Sequence, residues 1–293
     1  VNPNAGRVAR MERDDVIAAL RSRFDIDTYA TTARDSGIEL AASAAEAGAG
    51  LVIAYGGDGH VNEVANGLAG STSVMAIVPG GTMDVFARAL SLPLDPYEAI
   101  DHLWSRREMP PRMVTLGRMD ERYFTFSAGC GFDAEAAERV ERYVPAKRHL
   151  GQLFFYWSAF RVLAGTYRNR RPMMTMKGEF GEVDVSMAIA SNTGPYAYIG
   201  KRSVKIAPDV RLDAGIDAFG LRTMRVEALP VYAWRCLVSG DLVHHRDAFY
   251  ESDLDWFEVH ADEPFSRHVD GEPLTAARSA RFSVARDILK VIA

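Results

Sequence analysis

Cysteine is almost absent from this chain. Its 293 residues include two, Cys130 and Cys236, far apart and without metal-ligand spacing. Both thiols are therefore expected to be free, in a reducing cytoplasm. No run of about 18 apolar residues occurs, so no membrane-spanning helix is expected, and no secretory signal is found. With a net charge of −5, nothing global suggests a nucleic-acid partner. There is no Gly-x-x-x-x-Gly-Lys-Ser/Thr, and no Gly-x-Gly-x-x-Gly opens a helix after a strand. These absences speak against a P-loop NTPase and a dinucleotide-dependent oxidoreductase. Internal repeats and low-complexity segments are also missing. The chain starts at Val1-Asn2-Pro3, where the apolar strand that usually precedes such a turn is cut to its last residue. A few N-terminal residues are accordingly expected to be lacking.

What is present is enough apolar material, 48% of residues, for one large core or two moderate ones. Helical spacing marks Val16, Ile17, Leu20 and Phe24 within residues 14–24, and Ser36–Glu46 reads as an alanine-rich helix. Ile26–Thr31, Leu51–Tyr55 and Val74–Val78 read as strands. Further helices are expected at 61–68, Met83–Leu90 and Tyr97–Trp104. Strands alternating with helices imply an α/β domain with a parallel sheet and ligands at the strand C-terminal ends. After Pro110-Pro111 the pattern turns β-rich, with strands at 113–118, 123–128, 173–177, 183–191, 256–260 and 280–284. Helices interrupt them at 133–144, 150–164 and 230–243. The expected organisation is residues 1–111, a β-rich domain over 112–285, and a return strand to the first domain within 286–293.

The stretch with most chemical content is Gly56-Gly57-Asp58-Gly59, set between the strand 51–55 and a helix opening at Asn62-Glu63. Glycines let the backbone approach a ligand closely, and the N–H groups of a helix N-terminus favour a phosphate. A carboxylate among them suits a metal or a sugar hydroxyl, since two anions would repel. A second glycine turn, Pro79-Gly80-Gly81, follows the next strand and should lie on the same sheet edge. Far away, Asp270 and Glu272 flank Gly271. In an extended segment they would share a face, whereas Asp-Gly is also a common exposed hairpin turn.

Taken together these segments resemble the diacylglycerol kinase catalytic domain family, which includes bacterial lipid kinases and sphingosine kinases and is distantly related to NAD kinases. The resemblance runs through Asn2–Gly6, Gly56–Leu68, Pro79–Arg88, Gly131-Phe132-Asp133-Ala134, Ala207-Pro208, Leu212–Gly215 and Val269-Asp270-Gly271-Glu272. It implies a two-domain fold with an interdomain cleft and transfer of the γ-phosphoryl group of ATP to a lipid hydroxyl, with magnesium. Asn2, Pro3, Asn4, Ala5, Gly6, Thr31, Gly56, Gly57, Asp58, Gly59, His60, Val61, Asn62 and Thr82 match its nucleotide-contacting positions. Asp270 matches its general base, with Glu272 beside it. Asp58 is the expected magnesium ligand, and a secondary magnesium site is implied at Arg211, Asp213 and Ile216.

Departures from the family pattern are specific. His60 stands where many relatives have threonine, and the simplest reading leaves its ring in solvent with only its backbone N–H in use. Asp84-Val85 replaces Asn-Asp, Thr115 replaces an aspartate, and Ala214 removes a carboxylate from the secondary site. A basic and aromatic segment, Arg139 to Arg171 around Leu150–Trp157, suits an anionic membrane surface or a packed helix with solvated arginines. Asn192–Tyr196 reads as a strand end and turn lining the cleft. The expected protein is cytoplasmic, visits the membrane, and converts diacylglycerol to phosphatidic acid. A homodimer is left open. So are two alternatives: a kinase of a soluble substrate such as NAD or a sugar phosphate, and a nucleotide- or lipid-binding homologue with weak catalysis.

Overall fold

Val16 and Leu20, four residues apart on α1 (Arg10–Arg21), turn one face of that helix onto a core shared with Tyr55, Val78 and Ile100. The computed structural model describes residues 1–3, 10–135, 173–199, 202–224 and 226–293. They form two compact units, Val1–Leu116 with Ala285–Ala293, and Gly117–Val284. The helices expected at 150–164 and beyond residue 135, and the basic and aromatic side chains on them, lie outside the described residues.

In the first unit, β1 (Leu51–Gly56) and β2 (Val74–Pro79) pair in parallel, from Leu51 opposite Val74 to Gly56 opposite Pro79. The near-continuous apolar run Val74–Val78 is what a strand covered on both faces requires, and Met75, Ala76, Ile77 and Val78 are all buried. The other edge of β2 takes the end of β14 (Glu272–Val291), again in parallel, through Lys290 and Val291. Those two residues lie at the tip of a 20-residue strand. Ile26–Thr31 forms no regular strand; its hydrogen bonds to Val1, from the Thr31 N–H and into the Tyr29 carbonyl, make only a local pairing.

Helices cover this sheet. α2 (Ser36–Glu46) packs against α3 (Asp58–Leu68) through two glycines. A Cβ on Gly67 would lie 2.4 Å from the Ile38 carbonyl oxygen, and one on Gly37 would lie 2.3 Å from Glu63 Oε2. The two Glu63 oxygens accept the Asp35 and Gly37 N–H groups, at 2.8 and 3.1 Å, and so cap α2 from outside. A five-residue helix, α4 (Val85–Ala89), follows the second glycine turn. α5 (Pro96–Arg106) starts on an Asp95 side chain that accepts the Tyr97 and Glu98 N–H groups.

The second unit is antiparallel. β3 (Arg112–Met119) leads into it and pairs with β4 (Arg122–Phe124). Then come β5 (Ser127–Gly131), β6 (Met174–Gly178), β7 (Gly181–Val185) and β8 (Met187–Ser191). A small ribbon of β9 (Ala197–Ile199) and β10 (Arg202–Val204) precedes β11 (Ile216–Leu221), β12 (Ala248–Leu254) and β13 (Trp256–Val269). The strand order is β13-β5-β8-β11-β12, and the first half of β13 instead pairs with β6. Period-two alternation explains why β8 and β11 are buried throughout. Ala188, Ala190, Ile216 and Ala218 face one core with the stacked rings of Phe257 and Phe282, while Met187, Ile189, Phe219 and Leu221 face another.

Three expected elements are broken rather than continuous. Residues 123–128 split at Thr125-Phe126, whose amides turn to a carboxylate, and 183–191 splits at Ser186, whose N–H goes to the Leu221 carbonyl. The stretch 230–243 is a short helix, Leu229–Trp234, followed by a wider turn over Arg235–Ser239 that ends at Gly240 with φ of 70°.

The α2–α3 contact makes a direct prediction. Gly67→Ala should add about 1 kcal/mol of helix propensity in isolation. In this protein it should instead lower stability by about 1–2 kcal/mol in urea titrations, because the added methyl meets a backbone carbonyl. A stabilised variant would mean that α2 backs away freely.

Candidate functional site

The two glycine turns of the first unit touch backbone to backbone. A Cβ on Gly57 would stand 3.1 Å from the Gly81 Cα, and one on Gly81 would stand 2.7 Å from the Gly57 Cα and 2.5 Å from Asp84 Oδ1. Only glycine at both positions permits this approach. Two carboxylates tie the turns together. Asp58, the first residue of α3, accepts the Val85 N–H at 2.6 Å and so caps α4. Asp84, at φ of 47°, accepts the Gly81 N–H at 2.9 Å. The Gly80 N–H reaches the Gly56 carbonyl at 2.9 Å, and the Asn2 N–H reaches the Tyr55 carbonyl at 3.1 Å. The first turn of α3 leaves the Gly59 and His60 amides without an intrahelical acceptor, a geometry that suits an anion.

The expected nucleotide residues divide by position. Gly56, Gly57, Asp58, Gly59, His60, Val61 and Asn62 share this turn and helix, and Thr82 is exposed on the second turn. Thr31 is nearly buried and its N–H is bonded to the Val1 carbonyl, beside Asn2 and Pro3. Asn4, Ala5 and Gly6 lie outside the described residues. His60 departs from the simplest expectation: its ring is buried, 4% exposed, and packed on Gly56, where a Cβ would fall 2.8 Å from the ring. Neither ring nitrogen has a hydrogen-bond partner among the described residues. Burial lowers its pKa from 6.5 to about 3, so the imidazole is neutral.

Among the described residues no group of three or more His, Cys, Asp or Glu side chains is placed to hold a metal. Asp58 is half-buried with one oxygen on Val85, and Asp84 is buried. That donor set fits a magnesium held mainly by phosphate oxygens with one carboxylate. In place of the family's aspartates, Val85 is fully buried, and Thr115 accepts the Asp287 N–H at 3.4 Å through its hydroxyl. Arg211, Asp213 and Ile216 share one turn entering β11, where the Arg211 carbonyl accepts the Ala214 N–H. The Ile216 side chain is a fully buried hydrocarbon with no donor atom, and Asp213 is the one carboxylate of the three.

In the second unit, Asp270 and Gly271 form the two-residue turn between β13 and β14, with φ of 47° and 81°. This is the primed hairpin geometry that Asp-Gly favours. Asp270 is nonetheless buried, 6% exposed, rather than at an exposed tip. Its carboxylate accepts the Thr125 N–H and hydroxyl, both at 2.7 Å, and the Phe126 and Ser127 N–H groups, both at 3.0 Å. Burial raises its pKa above the ordinary carboxylate range, and the four donors work against that rise. Glu272 opens β14 on the far side of the turn, half-buried. Sequence reasoning missed the three consecutive amides at 125–127. It also missed His268, which accepts the Gly271 N–H at 3.3 Å. No spacing rule links these positions, because the pairing of β13 with β5 brings them together.

The neutral His60 has a measurable signature. Between pH 6.5 and about 3 the unfolded chain binds a proton at this residue and the folded protein does not. Stability should therefore fall as the pH drops through that window, by about 1.4 kcal/mol per pH unit from this group. His60→Thr should flatten the slope of urea midpoint against pH, and equal slopes in both proteins would rule out a buried neutral ring.

Known proteins resemble this chain in sequence and in fold. The family described as Diacylglycerol kinase catalytic domain matches residues 1–116. A Chromohalobacter salexigens protein named "Probable lipid kinase YegS-like" is 32% identical over 257 residues, covering 81% of this chain and 74% of its own length. The diacylglycerol kinase of Bacillus subtilis is 26% identical over 278 residues, covering 92% and 88%. A crystal structure of a diacylglycerol kinase from Bacillus anthracis has the same fold, with a TM-score of 0.74 at 21% identity over 99% of this chain and 94% of that one. On the paired glycine turns, the order of the motifs and these likenesses, the chain belongs to the diacylglycerol kinase catalytic domain family of lipid kinases.

Proposed function

We propose that this protein transfers the γ-phosphoryl group of ATP to a lipid hydroxyl, with diacylglycerol as the acceptor and phosphatidic acid as the product. The observation that carries this reading is the close contact of Gly57 with Gly81 beside the first turn of α3. It offers backbone amides to an anion and no side chain to keep it out. The names of the relatives support a lipid acceptor, and diacylglycerol in particular rests on the Bacillus subtilis relative.

Each residue then has a role. The amides of Gly57–Asn62 hold the triphosphate, with Thr82 on the second turn as a hydroxyl partner. Bound magnesium would neutralise phosphate charge, with Asp58 as its carboxylate. Asp270 accepts the proton of the lipid hydroxyl as that oxygen bonds to the γ-phosphorus. The bond from the γ-phosphorus to the bridging oxygen breaks, and ADP leaves with the electron pair. Four donors hold the Asp270 carboxylate in place, and burial raises its affinity for the arriving proton. The protein works from the cytoplasm on lipid presented by a membrane.

The test is transfer from labelled ATP to vesicles containing diacylglycerol, other hydroxylated lipids or none, with NAD and sugar phosphates as soluble acceptors. Diacylglycerol vesicles should be phosphorylated, and turnover of soluble acceptors without vesicles would overturn the lipid reading. Asp270→Asn should lower kcat by about 10²–10⁴-fold. It should also destabilise the fold by about 1–3 kcal/mol, since its amide would turn N–H groups toward existing donors. Full activity in a folded Asp270→Asn protein would remove Asp270 from the role of base.

A further inference from the structure

His268 grips the Asp270 turn from a second side. Its ring is 1% exposed and bridges two elements. Nε2 donates to one oxygen of Asp133, and Nδ1 accepts the Gly271 N–H at 3.3 Å. These partners assign the tautomer, with the hydrogen on Nε2 and the Nδ1 lone pair toward the turn. The other Asp133 oxygen accepts the Tyr196 hydroxyl at 2.5 Å. Burial first, and then Asp133, push that phenol's pKa well above its ordinary value, so it stays a donor. Two donors therefore hold the Asp133 carboxylate, and that carboxylate in turn orients the imidazole.

The fold makes room for this chain at one position. Gly129 on β5 lies opposite His268 on β13. A Cβ there would fall 2.5 Å from Asp133 Oδ2 and 2.5 Å from His268 Nε2. A glycine inside a buried strand weakens it, and here its empty side is filled by the His268–Asp133 pair. The Asp270 N–H is held by the Ser127 carbonyl at 2.7 Å, and the next amide of the turn, that of the exposed Gly271, is the one His268 takes.

We propose that His268 is a positioning residue for phosphoryl transfer: oriented by Asp133 and Tyr196, it fixes the Gly271 amide and with it the turn that carries Asp270. The proposal rests on the reading of Asp270 as proton acceptor. A displacement of about 1 Å at such a group is enough to cost about 10²-fold in rate.

Three variants separate the contacts. His268→Gln keeps a donor for Asp133 and removes the acceptor for Gly271, Asp133→Asn removes the charge that orients the ring, and Tyr196→Phe removes one hydroxyl. On diacylglycerol vesicles, His268→Gln and Asp133→Asn should lose about 10–10²-fold in kcat with the KM for ATP within about twofold. Tyr196→Phe should lose less, with the same pattern. Hydrogen exchange at the Gly271 amide should accelerate about tenfold or more in His268→Gln, with strand amides elsewhere unchanged. An unchanged kcat, or a loss carried by the KM for ATP, overturns the proposal, and so does unchanged exchange at Gly271. If His268→Gln fails to fold, Tyr196→Phe decides by the same readouts. Full activity in Asp270→Asn would instead defeat the reading of the base. The exchange measurement needs no substrate, so the two failures are distinguishable.

Discussion

The first unit depends on one steric constraint, the approach of the Gly57 and Gly81 backbones. Two strand-to-helix turns meet there, and any side chain on either would drive them apart. Once they meet, Asp58 reaches the Val85 amide across the gap and Asp84 closes back onto Gly81. The carboxylates thus do structural work before any ligand arrives. They fix the first turn of α3 beside the second glycine turn, so that under the proposed function its backbone dipoles would meet phosphate without moving.

The same economy recurs in the second unit with the polarity reversed. Around Gly57 the backbone leaves amides open, in the proposed function to a phosphate from outside, whereas around Asp270 the donors close on a carboxyl group of the protein's own. An ionised carboxylate this deeply buried is costly unless each oxygen is bonded, and three consecutive amides with one hydroxyl meet that need. The break in the strand at Thr125-Phe126 is the price: two residues leave the ladder so that their N–H groups can face the carboxylate.

Much of the first unit was legible because its signals are local. Apolar runs at Leu51–Tyr55 and Val74–Val78, glycines directly after them and a proline-led helix at 96 each act within a few residues. Ile26–Thr31 misled because alternation reports a tendency to extend and carries no information on whether a partner strand lies alongside. The second unit was harder. Its strands were recognisable, but β8 and β11 are buried on both faces, so nothing in their composition tells which neighbour each takes. His60 and His268 escaped for a related reason. A histidine between small or polar neighbours looks solvent-facing until the fold buries it, and the partners of His268 come from positions 133 and 271, brought together only by the sheet.

The long strand β14 has a consequence for how this chain comes to be folded. Its early part belongs to the antiparallel unit, and its last residues, Lys290 and Val291, form the ladder beside Val74 and Met75 in the first. On the ribosome, the segment carrying the glycine turns emerges early yet lacks one edge of its sheet until the final stretch leaves the exit tunnel. The unit between is continuous in sequence and is complete before then. Assembly during synthesis is thus expected to run from the middle of the chain outward, with the unit that carries the glycine turns closing last.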